Sequence, residues 1–148
     1  MDWIEESKRI FEAEKPEHFT NYTHCEECAE HDETLINSSI ENIGLEELGN
    51  PGWDPMCFCS VEGKKYYMPA LIRLCIETLD GDEPYLDQLL VHLESNGEKN
   101  ALVIGCTETQ RKFIASFVSF LVEKHAKEIE YNCCTDNALR VHEIWTKA

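Results

Sequence analysis

Nine consecutive residues hold the densest reactive chemistry of the chain: His24-Cys25-Glu26-Glu27-Cys28-Ala29-Glu30-His31-Asp32. On a helix, three-residue spacing turns Cys25 and Cys28 the same way, and His24, Cys28 and His31 align at i, i+4 and i+7. Thiolates and neutral imidazoles are donors that zinc prefers, usually four of them in a tetrahedron. One straight helix rarely closes that shell, so further donors must come from elsewhere, and Cys57 and Cys59 are the natural candidates. The expected metal set is therefore Cys25, Cys28, His31, Cys57 and Cys59, with zinc as the cofactor. Such a site is structural if closed, and hydrolytic if one position stays open to water.

Two other readings of the same residues stand beside this one. Reduced cysteine behaves as a small hydrophobe, so Cys25 and Cys28 with Ala29, Leu35 and Ile36 also describe the buried face of an ordinary helix. A Cys-x-x-Cys pair at a helix start is also the arrangement of a thiol oxidoreductase, because backbone N–H groups there stabilise a thiolate. Against the redox reading, Glu26 and Glu27 lie between the sulfurs and are expected to raise both thiol pKa values.

The other cysteines and histidines carry weaker signals. Cys75 sits in an apolar helical stripe and reads as core. Adjacent Cys133 and Cys134 should point apart, one buried and one exposed. His125 and His142 fall on apolar faces, where a hydrogen-bonded boundary histidine is the usual outcome. His92 flanks its apolar stripe, and His18 sits in a loop; both are expected to be exposed. No phosphate loop, nucleophile elbow, His-Glu-x-x-His or dinucleotide fingerprint is present, so no catalytic residue is named and enzymatic activity is not the expectation.

Helices must position these groups. Asp2 to Glu14 reads as an amphipathic helix ending before Pro16. Thr23 with Glu26 forms a capping-box pattern that would start a second helix at His24 and carry it to about Ile36, and Ser38 with Glu41 repeats the pattern for a third ending at Gly49. Residues 49–68 are rich in Gly and Pro, and Val61-Glu62-Gly63-Lys64 resembles a turn between two short extended pieces. Pro69 is then placed as the first residue of a helix reaching Leu79. A further helix follows Asp82 and Pro84, with Leu86, Leu89, Leu90 and Leu93 as its apolar stripe. Thr107 and Gln110 cap the longest helix, and Thr135 opens a last one burying Ala138, Val141 and Trp145. The expected fold is mainly α: a single-core bundle of about six helices over residues 1–148, with a small irregular or β-hairpin insert near residues 53–68.

The middle of the chain resembles a family of small, mainly bacterial proteins catalogued as a domain of unknown function. The likeness rests on Trp53-Asp54-Pro55-Met56-Cys57-Phe58, Val61-Glu62-Gly63, Tyr66-Tyr67-Met68-Pro69-Ala70 and Thr107-Glu108-Thr109-Gln110-Arg111. It spans roughly residues 20–146 and implies one domain; it carries no activity or functional residue with it.

Charge narrows the partners. With 29 acidic and 13 basic residues the formal charge is −16, a field that repels phosphate backbones and anionic lipid. Nucleic acid and membrane are not expected partners. The imbalance is uneven: residues 1–50 hold 14 acids and 3 bases, whereas residues 101–148 hold 6 of each. The N-terminus is acidic where a secretory signal is basic, so the cytoplasm is the expected compartment, and the eight cysteines are expected as free thiols there. The leading expectation is an interaction or structural domain whose acidic first half docks a basic protein surface, with the zinc site and the thiol oxidoreductase as alternatives.

Overall fold

The computed structural model describes residues 1–148 and is all helical: nine α-helices and three 3-10 turns, with no strand. No helix is long and apolar enough to cross a membrane. Contacts gather into two compact units, Asp2–Leu74 and Cys75–Ala148, the latter joined by Met1.

The first unit begins with α1 (Trp3–Ile10), capped by the Asp2 carboxylate, which accepts the Glu5 N–H at 3.2 Å. α2 follows (Glu26–Ile36), then the short α3 (Leu45–Leu48), two 3-10 turns at Pro51–Trp53 and Pro55–Phe58, and α4 (Val61–Thr78), within which the unit ends. Phe19, Leu35, Ile43, Leu48, Met56, Tyr67, Met68, Leu71 and Ile72 are fully buried and form its core. The segment after α2 is tied down from far along the chain. Lys15 Nζ donates to the carbonyls of Ile36 and Ser38, Tyr67 Oη to those of Leu35 and Ser38, and Arg73 to those of Ile40 and Ile43. These bonds satisfy the Leu35 and Ile36 carbonyls that the end of α2 leaves open and the Ser38, Ile40 and Ile43 carbonyls of the irregular segment after it.

Three local expectations change. α2 starts two residues later than a Thr23 cap would place it, because the Cys25 sulfur occupies the capping position. The helix expected after Ser38 is reduced to α3: Ser39 and Asn42 form a closed reciprocal turn, and the surrounding carbonyls are claimed by Tyr67 and Arg73. The β-hairpin is absent. Residues 51–58 form the two 3-10 turns, while Val61–Lys64 is the first turn of α4 and Pro69 lies inside that helix instead of opening it. The buried positions Gly63, Tyr67, Ala70, Leu71 and Leu74 follow helical periodicity straight through the proline.

The second unit contains α5 (Leu86–Glu94), a 3-10 turn at Gly97–Lys99, α6 (Ala101–Gly105), α7 (Glu108–Lys124), α8 (Ala126–Tyr131) and α9 (Thr135–Lys147). α9 packs on both α5 and α7. Its Trp145 is fully buried with the indole N–H on the Leu93 carbonyl at 2.9 Å, so the largest side chain of the unit loses no hydrogen bond by burial. The Thr107–Gln110 capping box forms as expected. So does the stripe of Leu86, Leu89, Leu90 and Leu93, and Ala138, Val141 and Trp145 are buried on α9. His92 departs from expectation: it is buried, with Nε2 3.4 Å from Tyr85 Oη.

Candidate functional site

The site forms where an extended loop becomes α2. Cys25 is the N-cap residue, in extended backbone conformation, and its Sγ accepts the Cys28 N–H at 3.4 Å. Capping thus does what spacing alone does not: it turns the Cys25 side chain back over the first turn of the helix, onto Cys28. The two sulfurs lie 3.3 Å apart, and Cys28 Sγ lies 3.8 Å from His24 Nδ1. His24, Cys25 and Cys28 each offer a donor atom within 4.8 Å of the others. His24 and Cys25 are exposed, and Cys28 is buried.

The approach to the site is braced by Asp32, one turn after Cys28. Its Oδ1 accepts the N–H groups of Phe19 (2.6 Å) and Thr20 (3.1 Å), its Oδ2 meets His18 Nδ1 at 2.7 Å, and Thr20 Oγ1 donates to the Cys28 carbonyl at 2.7 Å. His18 in turn stacks on Tyr22, with ring centroids 3.9 Å apart. The loop that delivers His24 is thereby fastened to the helix that carries Cys28. Burial works to raise the Asp32 pKa, but the hydrogen bonds from His18, Phe19 and Thr20 outweigh it and leave the carboxyl below its ordinary 3.8.

The two thiols differ electrostatically. Cys25 is lowered from 9.0 to about 7, first by the Cys28 N–H and then by hydrogen bonding to His24 and the Cys28 thiol. Cys28 is raised, first because it is the partner in the bond to the Cys25 sulfur, then by burial and the charge of Glu27. The expectation that the intervening glutamates raise both thiols therefore holds for Cys28 alone. At Cys25 the helix-terminal N–H decides the direction, as the general behaviour of helix N-termini requires.

The structure brings Cys25 and Cys28 together and adds His24; His31, Cys57 and Cys59 lie outside this donor group. His31 is completely buried, its ring 4.6 Å from that of Trp53 and stacked at 4.7 Å on that of Phe58. Neither of its ring nitrogens makes a hydrogen bond, although Nε2 lies 3.6 Å from Glu27 Oε1. The α2 face that aligns His31 with Cys28 is covered by the 3-10 turn Pro55–Phe58, and that packing claims the imidazole. Cys57 is exposed on this turn. Cys59 is buried, its thiol pushed up to about 12, chiefly by burial. Its Sγ fills the space beside Gly63, where a Cβ would also stand 2.8 Å from Phe19 Cδ1, so any larger residue there must displace these side chains.

Elsewhere, Cys75 is core, with burial holding its thiol up at about 12, and of the adjacent pair Cys134 is buried and Cys133 exposed. In the second unit a concavity of about 570 Å³ between α7 and α9 is lined by Arg111, Lys112, Ser116, Ser119 and His142, and there His142 Nε2 and Ser119 Oγ are 2.8 Å apart. His125 instead sits edge-on to Phe120, with Nδ1 3.4 Å from Glu128 Oε1. His24 stands outside the expected metal set, although its i, i+4 relation to Cys28 was readable; Asp32 carried no spacing signal, because its partners are the backbone N–H groups of Phe19 and Thr20 and the side chain of His18, 12 to 14 residues away.

Comparison of the chain with protein-family profiles, with curated proteins and with solved structures returned no match.

Proposed function

We propose that this protein binds a thiophilic divalent cation, zinc, through His24, Cys25 and Cys28. The observation that carries the reading is the convergence of three soft or borderline donors at one helix start. Zinc-to-sulfur bonds of about 2.3 Å and zinc-to-nitrogen bonds of about 2.0–2.1 Å imply tetrahedral edges of about 3.8 Å between sulfurs and about 3.5 Å between sulfur and nitrogen. The separations of 3.3 and 3.8 Å lie within half an ångström of those edges. Two thiolates and one neutral imidazole also match the ligand preference of zinc over magnesium or calcium, which favour oxygen. Three protein donors leave one tetrahedral position for water or a fourth donor, so the site has the composition of an open centre.

The test is titration of the reduced, metal-free protein with zinc against a competing chelator. One equivalent should bind, and Cys25→Ser, Cys28→Ser and His24→Ala should each weaken binding by at least about tenfold, the lower bound for loss even of a group that only supports a ligand. Binding that is unchanged when both cysteines are replaced would overturn the assignment.

A further inference from the structure

The same two sulfurs have the geometry of a working dithiol. Cys25 is exposed and Cys28 is buried directly beneath it, 3.3 Å away, so an incoming molecule meets one sulfur and the second waits within reach. A disulfide needs sulfurs at about 2.05 Å, so the gap closes by little more than an ångström. The Cys25 side chain is already folded over the helix start by its bond to the Cys28 N–H, which holds its sulfur on the side of Cys28. Among the other cysteines, Cys57 and Cys133 are exposed, and neither has another cysteine sulfur in the short contact that Cys25 has.

We infer that the metal-free protein reduces exposed disulfides by thiol–disulfide exchange, with Cys25 as the attacking sulfur and Cys28 as the resolving one. Cys25 Sγ bonds to one sulfur of R–S–S–R, that S–S bond breaks, and one R–S⁻ leaves. Cys28 Sγ then bonds to Cys25 Sγ, the mixed disulfide breaks, and the second R–S⁻ leaves. Two cysteine thiols become one disulfide, one substrate disulfide becomes two thiols, and the protons of the cysteines end on the released thiols. A low-molecular-weight thiol returns the pair to the reduced form by the reverse chemistry. The exposure of Cys25 fits small or peptide disulfides as substrates. Zinc binding and disulfide formation draw on the same sulfur lone pairs and exclude one another, so oxidation of the pair would release a bound ion.

The inference shares residues with the zinc reading but does not depend on metal, and its test uses the metal-free, full-length protein with oxidised glutathione as the probe. Mass spectrometry of the wild type should show an internal Cys25–Cys28 disulfide with loss of two hydrogens and no retained glutathione at either residue. Cys28→Ser should trap glutathione on Cys25, about tenfold faster than on Cys57 or Cys133 in the same molecule. Cys25→Ser, which keeps an oxygen at the helix cap, should form no internal disulfide while preserving the far-ultraviolet circular dichroism of the wild type. Equal labelling of Cys25, Cys57 and Cys133, or a wild type that keeps glutathione on Cys25 without closing the internal disulfide, would overturn the inference. A protein that exchanges disulfides but takes up no zinc would reject the metal reading alone.

Discussion

Cys25 caps the helix that carries Cys28: its sulfur accepts the Cys28 N–H at 3.4 Å while lying 3.3 Å from the Cys28 sulfur. One side chain thus has two separable jobs, closing a helix terminus and presenting a donor. Serine retains the first and loses the second, whereas alanine loses both. In the reduced, metal-free protein Cys25→Ser should match or exceed wild-type stability, and Cys25→Ala should lose about 1 kcal/mol in urea denaturation, the usual cost of removing a cap. Equal stability of the two variants would mean that the sulfur contributes nothing to the helix start.

Asp32 links the loop before the site to α2 through Phe19, Thr20 and His18. Its folded-state pKa is below 3.8, so the ionised form is the one the fold prefers. The sign follows: its stabilising contribution is complete above pH 3.8 and is lost as the pH falls from there through the lower folded value. Urea midpoints measured at about pH 5 and about pH 3 should therefore drop more for the wild type than for Asp32→Asn. At the higher pH, Asp32→Ala should cost about 3 kcal/mol, because two buried N–H groups lose their acceptor. An Asp32→Asn protein with the same acid sensitivity as wild type would remove Asp32 from this role.

The parts of the fold that local sequence made legible are those that local chemistry decides. Thr107 and Gln110 satisfy each other across one helical turn, and Leu86, Leu89, Leu90 and Leu93 bury a stripe by spacing alone. Thr23 with Glu26 and Ser38 with Glu41 have the same pattern and no such outcome. At the first, a cysteine sulfur two positions on takes the cap; at the second, Tyr67 and Arg73, about 30 residues away, hold the carbonyls in an irregular path. The hairpin turn expected at Val61-Glu62-Gly63-Lys64 includes Gly63, and there the glycine instead leaves room for the Cys59 sulfur and the Phe19 ring, which a Cβ would meet. At the site, the Cys-x-x-Cys spacing correctly joined Cys25 to Cys28. Helical alignment of His31 with Cys28 was equally readable, but the side chain's partners are rings from the turns at residues 51–58, and no local pattern announces them.

Gly63 allows α4 to pass close to Cys59 and Phe19. Gly63→Ala would remove a helix-interior glycine, a gain of about 1 kcal/mol by propensity, yet it forces a methyl group into occupied space, which costs about 1–3 kcal/mol in a packed core. Overpacking wins, so the variant should be less stable than wild type. Cys59→Ala vacates the colliding sulfur, and the double variant Gly63→Ala/Cys59→Ala should be more stable than the sum of the two single effects predicts. A double-mutant cycle in urea with no coupling would show that the sulfur is not what the glycine accommodates.

His31 offers the sharpest separation between a ligand and a packing residue. Its imidazole is fully buried against Trp53 and Phe58, and neither nitrogen is hydrogen-bonded. Burying a polar group without a hydrogen bond costs about 1–3 kcal/mol, and a phenyl ring keeps the stacking without the polar atoms. The larger ring has room to be accommodated because Trp53 and Phe58 are themselves 42% and 39% exposed. His31→Phe should therefore raise the stability of the metal-free protein by about 1 kcal/mol and leave zinc affinity at the wild-type value, since His31 lies outside the group formed by His24, Cys25 and Cys28. Thermal denaturation of the metal-free protein and a zinc competition titration read the two effects separately. A fall in zinc affinity as large as that of His24→Ala would make His31 the fourth donor and require α2 and the Pro55–Phe58 turn to repack around the ion.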